Sequence, residues 1–163
     1  MARNLVIGSA MTASIYPGKT ADLAKSGSGD WFAGQHFPQW LAIDFGTAIA
    51  FDYLSFTGIQ ISHSCIQTSV DGISWVNLVE IDHQRKPWVW NGCFAPITAR
   101  YLRLVAMPPS WDVHLRRIVV ARLAKPLLDA EDRPVPLLQP CGPVQGLESL
   151  PPAAAGEAGT RTP

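Results

Sequence analysis

A chain of 163 residues, 47% hydrophobic and 16% charged, is long enough for one well-packed domain, too short for two ordinary ones, and too apolar to remain unfolded. Its 13 basic and 13 acidic residues cancel, which excludes the basic surface that sequence-independent nucleic-acid or anionic-membrane binding needs. No run of about 18 apolar residues occurs, so no membrane-spanning helix is expected.

The N-terminal stretch NLVIGSAMTAS (residues 4–14) follows a single basic residue, Arg3, and polar Ser9 and Thr12 interrupt it before a signal-peptide core can form. The expected location is the cytoplasm before assembly, and then a virion or extracellular surface reached without a cleaved signal. From there to residue 124, short runs rich in Val, Ile, Leu, Phe, Tyr and Trp alternate with Gly, Pro, Asn, Asp and Ser, the pattern of strands joined by turns. Strands are predicted at Leu41–Phe45, Phe51–Gly58, Ser64–Ser69, Val76–Ile81, Gly92–Phe94, Tyr101–Met107 and Leu115–Ala121. LAIDFG and YLRLVAM alternate in polarity, so one face of each strand is expected to be buried. In the second run Leu102 and Leu104 share one face, and Tyr101 and Arg103 the other. The Asp71-Gly72 pair of DGISW marks a hairpin turn. No segment carries an amphipathic helix of three turns, and many short antiparallel strands predict an all-β sandwich. Cys65, Cys93 and Cys141 lack zinc spacing and cannot all pair within the chain; Cys65 and Cys93 read as small buried strand residues.

The composition changes near residue 124. Residues 125–163 hold eight prolines and four glycines with no period of 2 or 3.6, which predicts an extended Pro/Leu-rich arm outside a domain spanning 1–124. Leu127, Leu128, Val135, Leu137, Leu138, Val144, Leu147 and Leu150 recur through it. Apolar residues on a segment that cannot build its own core predict packing on something else, here protein subunits of a larger assembly.

The ordered blocks NLVIGSAMTAS, DWFAG, PQWLAIDFG, IQTSVDGISW, ARYLRLVA and LRRIVVA resemble the discoidin, or coagulation factor 5/8 type C, domain. They resemble equally the carbohydrate-binding modules that share its galactose-binding-like jelly roll. The resemblance covers about residues 4–122. It implies a galactose-binding-like jelly-roll β-sandwich with Trp40 and Trp75 as buried indoles, each removing roughly 150–250 Å² of surface from water. It also implies that Asp44 and Gly46 close a strand into a tight turn. Many members of the family hold a structural calcium between the loop after the first strand and the last strand, through an Asp-Gly-Asp loop and a Glu. The loop here reads AKSGSGDW, with Lys25 at an acidic position, and the last strand reads LRRIVV, with Arg117 near the Glu position. Two cations in place of two carboxylates repel a hard metal ion. No metal and no other cofactor are therefore expected, with Asp22 and Asp30 as the residual oxygen donors.

In the resembled fold, ligands meet loops at one end of the sandwich. The candidate loops are 15–18, with Tyr16 at the position of an exposed spike; 58–63, with Gln60 and His63; and 85–91 together with 109–114. A sugar needs an apolar plate for its C–H face and planar polar groups for its hydroxyls. Trp88, Trp90 and Trp111 supply the plate, and His63, Arg85, Asn91, Asp112 and His114 the hydrogen bonds, with Tyr16 and Gln60 beside them. Packing is the competing reading, since alternating Trp88 and Trp90 would equally cover one face of an edge strand. His36 reads as a turn residue and Trp31 as structural.

No nucleophile motif, HExxH or phosphate-cradling glycine loop is present, so an enzyme is not expected. The predicted function is a non-catalytic glycan-binding or adhesion module, carried on a larger particle such as a phage tail or capsid and meeting a cell-surface glycan in host recognition. The alternative is a structural connector whose arm clamps a neighbouring subunit without binding carbohydrate. Lipid insertion fits less well, because the Ile15–Gly18 tip is short and excess basic charge is lacking.

Overall fold

The computed structural model describes residues 3–14, 19–32, 38–59, 63–82, 89–108 and 114–123. The expectations for Tyr16, His36, Gln60, Arg85, Trp88, Trp111, Asp112, Cys141 and the arm at 125–163 lie outside these residues. In chain order the elements are strand β1 (Ala10–Ala13), helix α1 (Lys19–Ser26), and strands β2 (Trp31–Phe32), β3 (Gln39–Thr57), β4 (His63–Ser69), β5 (Val76–Asp82), β6 (Val89–Ala106), β7 (His114–Leu115) and β8 (Arg117–Ala121). The main sheet runs β1-β3-β6-β4-β5 with β8 added to β3, while β2 and β7 form a separate ribbon. These pairings are all antiparallel.

Two strands are longer than the sequence predicts. Leu41–Phe45 and most of Phe51–Gly58 belong to one strand of 19 residues; Gly92–Phe94 and most of Tyr101–Met107 belong to one of 18. The reason is mutual pairing. β3 and β6 stay partnered from Gln39↔Ala106 to Thr57↔Val89, with register shifts between Asp44 and Ile49 and between Phe51 and Tyr53. Irregularities of this kind bend a strand without ending it. Residues 39–44 and 101–106 therefore join β1, β4 and β5 in one layer, and the other halves join β8 in a second. The expected tight turn at Asp44 and Gly46 is this bend. Gly46 takes φ 80° and donates its N–H to Asp44 Oδ1 at 2.7 Å. Arg100 holds the same carboxylate through Nε and Nη2, each at 2.9 Å.

Leu41, Ile43, Ile66, Leu102 and Leu104 of the first layer form one apolar cluster with Phe51, Leu54, Phe56, Ile118 and Val120 of the second. The layers thus pack face to face as a sandwich, and Trp31 is fully buried in the same cluster. Helix α1, eight residues long and so short of three turns, lies against β8, β2 and β1.

One face differs from its prediction. Tyr101 and Arg103, expected opposite the buried side of their strand, are themselves only 8% and 5% exposed. Trp75, expected inside the core, is half-buried on this outer face, with its ring centroid 3.9 Å from the Arg103 guanidinium and 6.4 Å from the Tyr101 ring. The β4–β5 loop causes this. Gly72 at φ 77° turns the chain so closely onto Tyr101 that a Cβ there would sit 3.3 Å from its ring. The loop is set by Asp71 Oδ1, which accepts the N–H groups of Ile73 and Ser74 at 2.8 Å each. Trp40 and Cys65 are buried as expected, whereas Cys93 is half-buried and a free thiol.

Candidate functional site

The register brings one set of strand ends side by side. Gln39, Ala106, Ser64 and Ile81 lie in one row across the first layer, and Val89, Thr57 and Arg117 in one row across the second. Ser14 donates its N–H to Trp40 O and Met107 its N–H to His63 O, each at 2.9 Å, so β1 and β6 finish at this same end. From these ends depart the segments 15–18, 33–37, 60–62, 83–88 and 109–113. All three predicted loop groups are therefore rooted at one end of the sandwich, although they are scattered over nearly 100 residues of sequence.

Four candidate side chains lie within described residues. His63, at the start of β4, places Nε2 2.8 Å from Glu80 Oε1 on neighbouring β5. His114, at the start of β7, has Nδ1 4.0 Å from Asp30 Oδ2, and Arg116 donates through Nε to Asp30 Oδ1 at 2.9 Å. That bond holds the Arg116 guanidinium above its ordinary pKa. Trp90 packs on Phe56 at 5.7 Å between centroids, at the edge of the core, whereas exposed Asn91 accepts the Tyr53 hydroxyl at 3.1 Å. Successive strand residues point to opposite faces, so Trp90 and Asn91 do not share a site. His63 stands at the loop end of the first layer, and His114 at the start of β7 in the separate β2–β7 ribbon.

Glu80 and Arg116 were missed by sequence reasoning, and Asp30 was singled out only as a residual oxygen donor for a metal. Their partners lie up to 86 residues away, and no local motif announces such a pair. Together with the histidines they give a rim of hydrogen-bond donors and acceptors, the kind of groups that hydroxyls pair with. The rim is locked to the sandwich at Gly58. Arg116 donates its N–H to Thr57 O at 3.0 Å, and its side chain lies directly over Gly58.

Asp22, Lys25, Asp30 and Arg117, compared above with the calcium site of the resembled family, all lie within the described residues. Asp22 is paired with Lys25 at 2.8 Å, and Asp30 with Arg116. The Arg117 chain runs over Gly27, with Cδ 3.5 Å from where a Cβ would be. Each of these two carboxylates therefore has a cation beside it.

A family model described as the F5/8 type C domain matches residues 9–118. No curated protein matches the chain. Among solved structures, chitosan-binding module 1 of the chitosanase/glucanase from Paenibacillus sp. IK-5 is 22% identical with a TM-score of 0.62, covering 72% of this chain and 98% of its own. Module 2 of that enzyme, in complex with chitotriose, is 19% identical with a TM-score of 0.62, over 72% of this chain and 99% of its own. The Clostridium perfringens module CpGH89CBM32-5, in complex with GalNAc-β-1,3-galactose, is 16% identical with a TM-score of 0.61, over 73% of this chain and 99% of its own.

Proposed function

The chain belongs to the F5/8 type C domain family, and from that premise we propose that it is a non-catalytic glycan-binding module that receives sugar at the loop end of its sandwich. The observation that carries this reading is the convergence of the tryptophan- and histidine-bearing segments on strand ends that lie side by side. Modules of the same fold hold chitotriose, GalNAc-β-1,3-galactose and 4,5-unsaturated mannuronic acid, which supports a saccharide as the ligand class. A glycan array followed by calorimetry on the full chain tests it. Binding to at least one glycan is expected, weakened about tenfold in Trp88→Ala or Trp111→Ala, since a stacked aromatic contributes on the order of 1.5 kcal/mol. An array without any bound glycan would refute it.

The reading extends to context. The module belongs to a larger particle, such as a phage tail or capsid, with residues 125–163 contacting neighbouring subunits; the composition of that segment supports this. Deleting 125–163 is expected to abolish incorporation into the parent assembly, and unchanged incorporation would sink it. The module works without calcium: with Asp22 and Asp30 held by Lys25 and Arg116, a titration is expected to show no binding tighter than millimolar, the range of the weakest protein calcium sites.

A further inference from the structure

Arg116, between β7 and β8, is held at three points. Its backbone N–H donates to Thr57 O at 3.0 Å, its Cβ lies 2.6 Å from where a Cβ on Gly58 would be, and its Nε donates to Asp30 Oδ1 at 2.9 Å. The first two contacts fix where the side chain leaves the backbone, and the third fixes its far end. The side chain is nonetheless 61% exposed. A guanidinium carries five N–H donors in one plane. Asp30 takes the one on Nε, and among the described residues the four on Nη1 and Nη2 meet no acceptor. His114, two residues earlier, stands beside the same carboxylate, with Nδ1 4.0 Å from Oδ2.

These residues stand among the roots of three loop segments: 33–37 follows β2, 60–62 follows Ile59, and 109–113 leads into His114. The charge around them is not balanced. Lys25 cancels Asp22 and Arg116 cancels Asp30. Arg117, exposed and lying over Gly27 on the same α1–β2 turn, has no carboxylate partner among the described residues. With histidine counted as neutral, three cations against two carboxylates leave one positive charge. We infer that Arg116 is a ligand-binding residue whose guanidinium receives the carboxylate of an acidic sugar, a uronic acid unit, at the loop end.

Geometry and charge agree on this ligand. A hydroxyl engages such donors singly and leaves the rest to water. A carboxylate engages Nη1 and Nη2 in parallel, and these charge-assisted bonds are shorter and roughly twice as strong as neutral ones. Holding the guanidinium through Nε in advance lowers the rotamer entropy lost on binding. Asp30 repels an incoming anion, but Arg116 offsets that charge at contact distance and would itself touch the ligand, while Arg117 tips the local sum. The inference rests on the glycan-binding reading and narrows its ligand class to sugars bearing a carboxylate.

The test is calorimetry on the full chain with trimers of galacturonate, glucuronate, mannuronate and guluronate, each compared with the same trimer after its carboxyls are reduced to alcohols. At least one acidic trimer is expected to bind roughly ten- to hundredfold tighter than its reduced form. Arg116→Gln is expected to abolish that preference. Arg116→Lys, which keeps the charge beside Asp30 but has no fork, is expected to lose it several-fold; this variant carries the test if the glutamine variant does not fold. Arg117→Gln removes the same charge without the fork and is expected to change the preference less than about threefold. Equal binding of acidic and reduced trimers, a preference that survives in both Arg116 variants, or an equal loss in Arg117→Gln would each overturn the assignment. If neutral glycans bind and no acidic trimer does, the assignment falls while the glycan-binding reading stands; if no glycan of either kind binds, both fall.

Discussion

Gly58 follows β3 at φ 70°, and a Cβ built there would lie 2.6 Å from the Cβ of Arg116. Left-handed backbone disfavours any side chain by about 1 kcal/mol, and forcing carbon into filled space adds about 1–3 kcal/mol. Gly58→Ala is therefore expected to lower the Tm by roughly 5–10 °C, read by calorimetry; a shift under about 1 °C would show that the β3 end and Arg116 are not locked together. Asp44 makes a second prediction. Its hydrogen bond from Arg100 holds the carboxyl below its ordinary value of 3.8, and the N–H groups of Ile73 and Ser74 do the same for Asp71. A carboxyl with a depressed folded pKa contributes stability that is complete above the unfolded pKa and is lost as pH falls through the folded one. The denaturant midpoint is thus expected to be flat at pH 5–7 and to fall below about pH 4, with a shallower acid limb in Asp44→Asn. An identical limb in that variant would remove Asp44 as a contributor.

The element that departs most from its sequence pattern is β6. Alternation in YLRLVAM marks the inner face correctly, with Leu102 and Leu104 fully buried, but says nothing of a second cover over Tyr101 and Arg103. Arg103 is held by the Trp75 ring and by Gln67, which accepts from Nε at 2.6 Å. Desolvation lowers its pKa to about 10, so its buried charge opposes folding below that pH and the contacts must offset it. A double-mutant cycle of Trp75→Leu and Arg103→Met is expected to give a coupling of about 1–2 kcal/mol by chemical denaturation, the size of a desolvated cation–π pair. Additivity within about 0.3 kcal/mol would show the stacking to be incidental. The sequence also splits β3 in two, because Phe45-Gly46-Thr47 carries the same signal whether a strand ends or bends. Only its continued pairing with β6 distinguishes the two outcomes.

For the whole molecule, six ordered blocks were enough to read the family and the sandwich, because strand alternation, buried indoles and turn glycines are local consequences of side-chain chemistry. Lys25 and Arg117 likewise stand out in the sequence against an acidic pattern; in the fold Lys25 pairs with Asp22 and the Arg117 chain runs over Gly27. The site was legible only as a list of aromatic and polar residues. That the segments bearing them share one end, that Trp90 turns toward the core while Asn91 faces outward, and that Asp30 meets Arg116 depend on register between strands far apart in the chain. The sequence by itself determined which residues seek the interior and where the backbone turns, since these follow from transfer free energies and backbone sterics over a few neighbouring residues. The tertiary structure alone decided which loops meet, which charges pair and that both faces of the first layer are covered, because those are set by closing contacts across long stretches of chain.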